Sequence, residues 1–81
     1  MTFNKWLDTL IEEKGIDTEQ YFYIDGPTGD FNIIELSVVI DAIKATCKQE
    51  QAAIKTMLVK IDFVNGDIVD YFKHLAQALA R

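Results

Sequence analysis

A single cysteine, Cys47, and a single proline, Pro27, stand in a chain of 81 residues. One thiol excludes a disulfide framework, a Cys-pair metal ligand set and a redox dithiol. No apolar run approaches the ~18 residues of a membrane-spanning helix. The opening MTFNKWLDTLIEEKG lacks the basic start and long apolar stretch of a signal peptide. A cytoplasmic protein is the expectation. The most informative absence is of positive charge. Between Lys14 and Lys44 there is no basic residue, while Asp17, Glu19, Asp25, Asp30, Glu35 and Asp41 all fall there. Residues 1–43 carry nine Asp/Glu against two Lys, and residues 44–81 carry four against six Lys/Arg. The two parts are therefore near −7 and +2, within a net charge of −5. Such asymmetry bears on partners and solubility rather than on fold.

Hydrophobic residues are 49% of the chain, with nine aromatics. That suffices for a folded domain and argues against intrinsic disorder. The length allows one core, so residues 1–81 are read as a single small globular domain.

Phe3, Trp6, Leu7, Leu10 and Ile11 recur at helical spacing, with Thr2 as a cap and Gly15 as the left-handed stop. Asp17 and Gln20 approximate a capping box flanked by Ile16 and Tyr21, which predicts a short helical turn. Asp25-Gly26-Pro27-Thr28-Gly29-Asp30 is dense turn chemistry between two aromatic and β-branched runs, Tyr21–Ile24 and Phe31–Ile34. A short β-hairpin with a six-residue loop, or an extended loop, is expected there. From Leu36 the helical period returns through Val39 or Ile40, Ile43 and Cys47, with Ser37 as the cap. Thr46 and Gln49 fit a second capping box and predict a break near Thr46. One continuous helix from Ser37 to Asp62 is the alternative, since neither Gly nor Pro interrupts it. Ala53, Ile54, Met57, Leu58 and Ile61 form the next stripe, and Asn65-Gly66 its stop. Asp67 caps a last helix burying Ile68, Phe72, Leu75, Ala76 and Leu79. The fold class is mainly α, with an α+β element at its margin: about four helices and one hairpin near residues 21–34.

Catalytic and ligand motifs fail on inspection. An EF-hand loop counted from Asp25 would put Pro27, Gly29, Asp30 and Leu36 at positions 3, 5, 6 and 12, where oxygen ligands, Gly and Glu are needed. No phosphate-binding glycine motif is present, and an acidic loop repels phosphate. Cys47 and His74 are one of each type without a motif, and adjacent Glu12 and Glu13 diverge on a helix. Lys44, Lys48 and Lys55 line one side of the middle helical region, but a pI near 4.6 opposes direct nucleic-acid binding. The first helix is acidic at Asp8, Glu12 and Glu13, the wrong sign for a membrane surface.

The expectation is a non-catalytic protein-interaction module without a cofactor or metal. Four of the nine aromatics, Tyr21, Phe22, Tyr23 and Phe31, fall within eleven positions beside carboxylates. Strand alternation sends Tyr21 and Tyr23 to one face and Phe22 to the other. Tyr21, Tyr23, Asp25, Asp30 and Phe31 are the candidate contact residues for a basic protein partner. The alternatives are a nucleic-acid mimic that inhibits a DNA- or RNA-binding protein, and a self-associating homodimer.

Overall fold

The computed structural model describes residues 1–64 and 66–79. Its elements run α1 (Phe3–Lys14), β1 (Tyr21–Asp25), β2 (Phe31–Glu35), α2 (Leu36–Lys44), α3 (Lys48–Val64) and α4 (Ile68–Leu79). The chain is thus mainly helical with one antiparallel hairpin, as its periodicity predicts.

Local chemistry sets most of the boundaries. Thr2 Oγ1 accepts the Lys5 amide at 3.2 Å and starts α1, while Gly15 at φ 62° ends it. Asp67 Oδ1 accepts the Asp70 amide at 3.2 Å and starts α4. The Gly66 amide donates to the Ile61 carbonyl at 2.7 Å and closes α3, with Gly66 left-handed at φ 68°. Asn65, the other half of the predicted stop, lies outside the described residues.

Elsewhere the structure corrects the sequence. The Asp17–Gln20 segment is a turn and not a helical start. Asp17 Oδ1 accepts the Glu19 amide at 3.0 Å, and the Gln20 side chain reaches the Asp17 carbonyl rather than its amide. A local Asx turn has displaced the capping box. Ser37 does not cap α2, which already begins at Leu36 with Glu35 at the cap position and no side-chain bond there. The Leu36 and Ser37 amides donate to the carbonyls of Gln20 and Thr18 at 2.9 and 3.0 Å, so backbone groups take the cap's role.

The predicted break is real, and residues 37–62 form two helices, but Thr46 does not cap the second one. Its hydroxyl donates to the Ile43 carbonyl at 2.7 Å, and the Gln51 side chain donates to the Lys44 carbonyl at 3.0 Å. Both side chains close the end of α2. Because α2 stops at Lys44, the period no longer carries Cys47 onto the apolar stripe, and Cys47 is exposed.

One cluster of buried side chains forms the core: Leu7, Phe22, Ile24, Leu36, Val39, Ile40, Ile43, Ile54, Leu58, Ile68, Phe72 and Ala76. Each element but one contributes to it, and the exception is β2. Its best-covered apolar residue, Ile34, is only partly buried. The helical stripes are narrower than their spacing suggests. In α1 only Leu7 is fully covered, and Ala53, Met57 and Leu79 are exposed.

Two ion pairs tie α1 to its neighbours, Lys14–Asp62 at 2.8 Å and Lys44–Asp8 at 2.5 Å. Lys55 Nζ stands 5.1 Å from the Trp6 ring centroid, adding a cation–π contact between α3 and α1. Lys44 and Lys55 therefore serve α1 and do not form a free basic row with Lys48.

Candidate functional site

The hairpin register places every predicted contact residue. Tyr21 pairs with Glu35, Phe22 with Ile34, Tyr23 with Ile33, Ile24 with Asn32 and Asp25 with Phe31. The strands are each one residue longer than predicted, and Asp25 belongs to β1, so the loop spans 26–30. Gly29 turns it at φ 84°, its amide bonded to the Gly26 carbonyl at 3.1 Å across Pro27 and Thr28. Gly26 has its own reason to be glycine. A Cβ there would meet Asn32 Nδ2 at 2.9 Å and the Asp30 carbonyl oxygen at 3.0 Å.

Strand alternation then divides the hairpin. Phe22 and Ile24 point into the core and are buried. Tyr21, Tyr23, Phe31 and Ile33 point outward and are exposed at 63, 70, 76 and 61%. Asp25 and Glu35 complete that outer face, each directly across from an aromatic ring, Phe31 and Tyr21. Asp30 stands at the loop end, where its carboxylate accepts the Thr28 hydroxyl at 2.9 Å. The five predicted residues are thus brought together at one place, four on the outer face and Asp30 beside it. Sequence reasoning missed two members, Ile33 and Glu35. The register identifies both, and it could have been set from the turn by pairing Asp25 with Phe31.

The electrostatics of this face follow from what happens to its neighbours. Lys14 and Lys44, the lysines nearest in sequence, are paired with Asp62 and Asp8. Among the described residues, no ion pair involves any of the six carboxylates between them. Among the described residues, their negative charge is therefore uncompensated by a close cation.

Backbone bonding at the hairpin edges also follows from the register. Gly26 donates to Asp30, and Leu36 donates to Gln20, so these rungs are hydrogen-bonded. In an antiparallel ladder such rungs alternate with non-bonded ones. Tyr21–Glu35, Tyr23–Ile33 and Asp25–Phe31 are therefore non-bonded rungs, whose amides and carbonyls point away from the partner strand. At Asp25 the Gln77 side chain of α4 satisfies both groups. Gln77 Oε1 accepts the Asp25 amide at 2.9 Å, and Gln77 Nε2 donates to the Asp25 carbonyl at 2.7 Å. Among the described residues, the outward groups of Tyr21 and Tyr23 on β1 and of Phe31 and Ile33 on β2 have no such partner.

Other surface features offer less. Tyr71 lines an open cleft with Ile61, Asp67, Asp70 and His74, and burial pushes its phenol above the ordinary tyrosine value. Asp67 is already used as the cap of α4. Among the described residues no three His, Cys, Asp or Glu side chains come together as a metal ion needs. Val59 and Phe63 are exposed one turn apart on α3, a single helix face without a strand edge beside it.

Comparison with known proteins finds no family model, no curated relative and no solved structure that matches this chain.

Proposed function

We propose that this chain is a non-catalytic interaction module that binds a basic protein through the outer face of its hairpin. The observation that carries this reading is the exposure of Tyr21, Tyr23, Phe31 and Ile33 as one cross-strand patch. A folded chain with a complete core gains nothing from two tyrosines, a phenylalanine and an isoleucine in water, whereas an interface core is enriched in such residues. Asp25, Glu35 and Asp30 at its margin supply the sign of the partner, since rim charges steer encounter and select against like charge. The same sign disfavours two copies meeting face to face, because each would bring carboxylates to the rim of the other.

A nucleic-acid mimic is the weaker alternative. Carboxylates that stand in for phosphates must dominate a surface, and here four apolar side chains outnumber two carboxylates on the outer face.

The test compares partners captured by the native chain with those captured by Tyr23→Ala/Ile33→Ser and by a control, Val59→Ala, on α3. Circular dichroism and a thermal melt establish that each variant is folded. The expected result is a partner that is retained by the control, lost by the double variant and weakened when salt rises to physiological levels. With single Tyr23→Ala the loss is about tenfold in Kd, the scale of a residue at the centre of an interface. An identical partner profile for all three proteins sinks the assignment.

A further inference from the structure

The patch on the hairpin has an edge as well as a face, and the two edges differ. The β1 edge is closed at Asp25 by the paired bonds from Gln77, and although the outward groups of Tyr21 and Tyr23 have no hydrogen-bond partner among the described residues, α4 packs against that strand. The β2 edge carries the outward amides and carbonyls of Phe31 and Ile33 without a protein partner among the described residues. Of the usual guards it has no proline, no lysine and no bulge, and only its five-residue length and Glu35 protect it. Beyond Glu35 the chain turns directly into α2, which limits the open edge to the span of β2.

We propose that β2 accepts an extended, basic segment of another protein as a third, antiparallel strand. The proposal rests on the reading of the hairpin as a protein-binding face and specifies how that face is used. Strand addition gives affinity through main-chain bonds and specificity through alternate side chains. Residues of the incoming strand opposite Phe31 and Ile33 form hydrogen-bonded rungs, the residue opposite Glu35 meets only its amide because the Glu35 carbonyl opens α2, and all three side chains continue the outer face. The residue opposite Ile33 is apolar and extends the Tyr23–Ile33 row. The residue opposite Glu35 is Arg or Lys, pairing with that carboxylate. The residue opposite Phe31 is Arg, whose guanidinium stacks on the exposed ring and reaches toward Asp25 and Asp30. The recognised pattern is therefore basic, any, apolar, any, basic, in a segment of about five residues, the length of a short strand.

The probe is a capped synthetic peptide with the core Arg-Thr-Val-Thr-Arg, titrated into the isotopically labelled full chain and followed by amide chemical shifts. Shifts centred on Phe31, Ile33 and Glu35 are expected, with binding weakened about tenfold when the valine amide is N-methylated, since that rung loses its donor. The charge-reversed core Glu-Thr-Val-Thr-Glu is expected to bind at least as poorly as the N-methylated peptide.

No shift at Phe31 and Ile33 up to millimolar peptide overturns the proposal, and so does equal binding of the N-methylated peptide. Slow exchange of the Phe31 and Ile33 amides in the free chain, together with sedimentation as a dimer, also overturns it by assigning the edge to a second copy. Strand addition fails alone if the peptide results are negative while Tyr23→Ala/Ile33→Ser still abolishes partner capture. If capture is also unchanged, the face itself is not the site.

Discussion

Gly26 is fixed by its surroundings rather than by its own backbone, which is the less familiar reason for a glycine in a loop. Substitution by alanine puts a methyl group against the Asp30 carbonyl oxygen and the Asn32 amide, both within 3.0 Å. The Asn32 side chain can swing aside, but the backbone oxygen cannot move without disturbing the Gly26–Asp30 rung. Gly26→Ala is expected to lower stability by about 1–2 kcal/mol, read from chemical denaturation, with the largest shift changes confined to 24–32. Tyr71 provides a second test at this scale. Its phenol is raised by burial, so the unfolded chain releases this proton at a lower pH than the folded one. The stability it confers is complete below the ordinary tyrosine value of about 10 and is lost as pH rises beyond it. Thermal midpoints should therefore fall above that pH, and Tyr71→Phe should flatten the fall. An equal alkaline slope in both proteins refutes the assignment to Tyr71.

At the scale of elements, α4 is the structural keystone because it touches both the helical layer and the hairpin. Phe72 is fully buried at its centre, between Ile68 and Ala76 on the same face. Phe72→Ala is expected to cost about 3–5 kcal/mol, which approaches the whole stability of a small domain. A cooperative melt at the native midpoint is the contrary result. The existence of α1, α3 and α4 was legible because their stripes, caps and glycine stops agree with one another, Thr2 with Gly15 and Asp67 with Ile68. What was illegible depended on competition between local and distant groups. The Asp17 carboxylate can cap a helix or close an Asx turn, and only the backbone bonds from Leu36 and Ser37 to Gln20 and Thr18 decide that the chain goes straight into β1. Cys47 went astray for a related reason, since a helical period says nothing about where Thr46 and Gln51 will end the helix. In the candidate site the tyrosines were readable from alternation, while Ile33 and Glu35 required the register across the loop.

Across the whole molecule, charge and apolar exposure are separated from the places where stability is made. The core draws on every element except β2, and both ion pairs among the described residues anchor α1. The hairpin's outer face is therefore free to be altered with little loss of stability. Tyr23→Ala and Ile33→Ser should each shift the melting midpoint far less than Phe72→Ala, while their effect on binding is large; a loss of fold from either places these side chains in the core after all. The Gln77 contact has one more implication, which concerns order in time. It joins positions 52 residues apart and lies near the last helix's end, so the Asp25 amide and carbonyl stay unpaired on any nascent or clipped chain that stops short of Gln77. A fragment that stops before Ile68 also lacks Ile68, Phe72 and Ala76, and open strand edges beside an uncovered core favour edge-to-edge aggregation. Gln77 thus closes, from far along the chain, backbone groups that Asp25 exposes early in it.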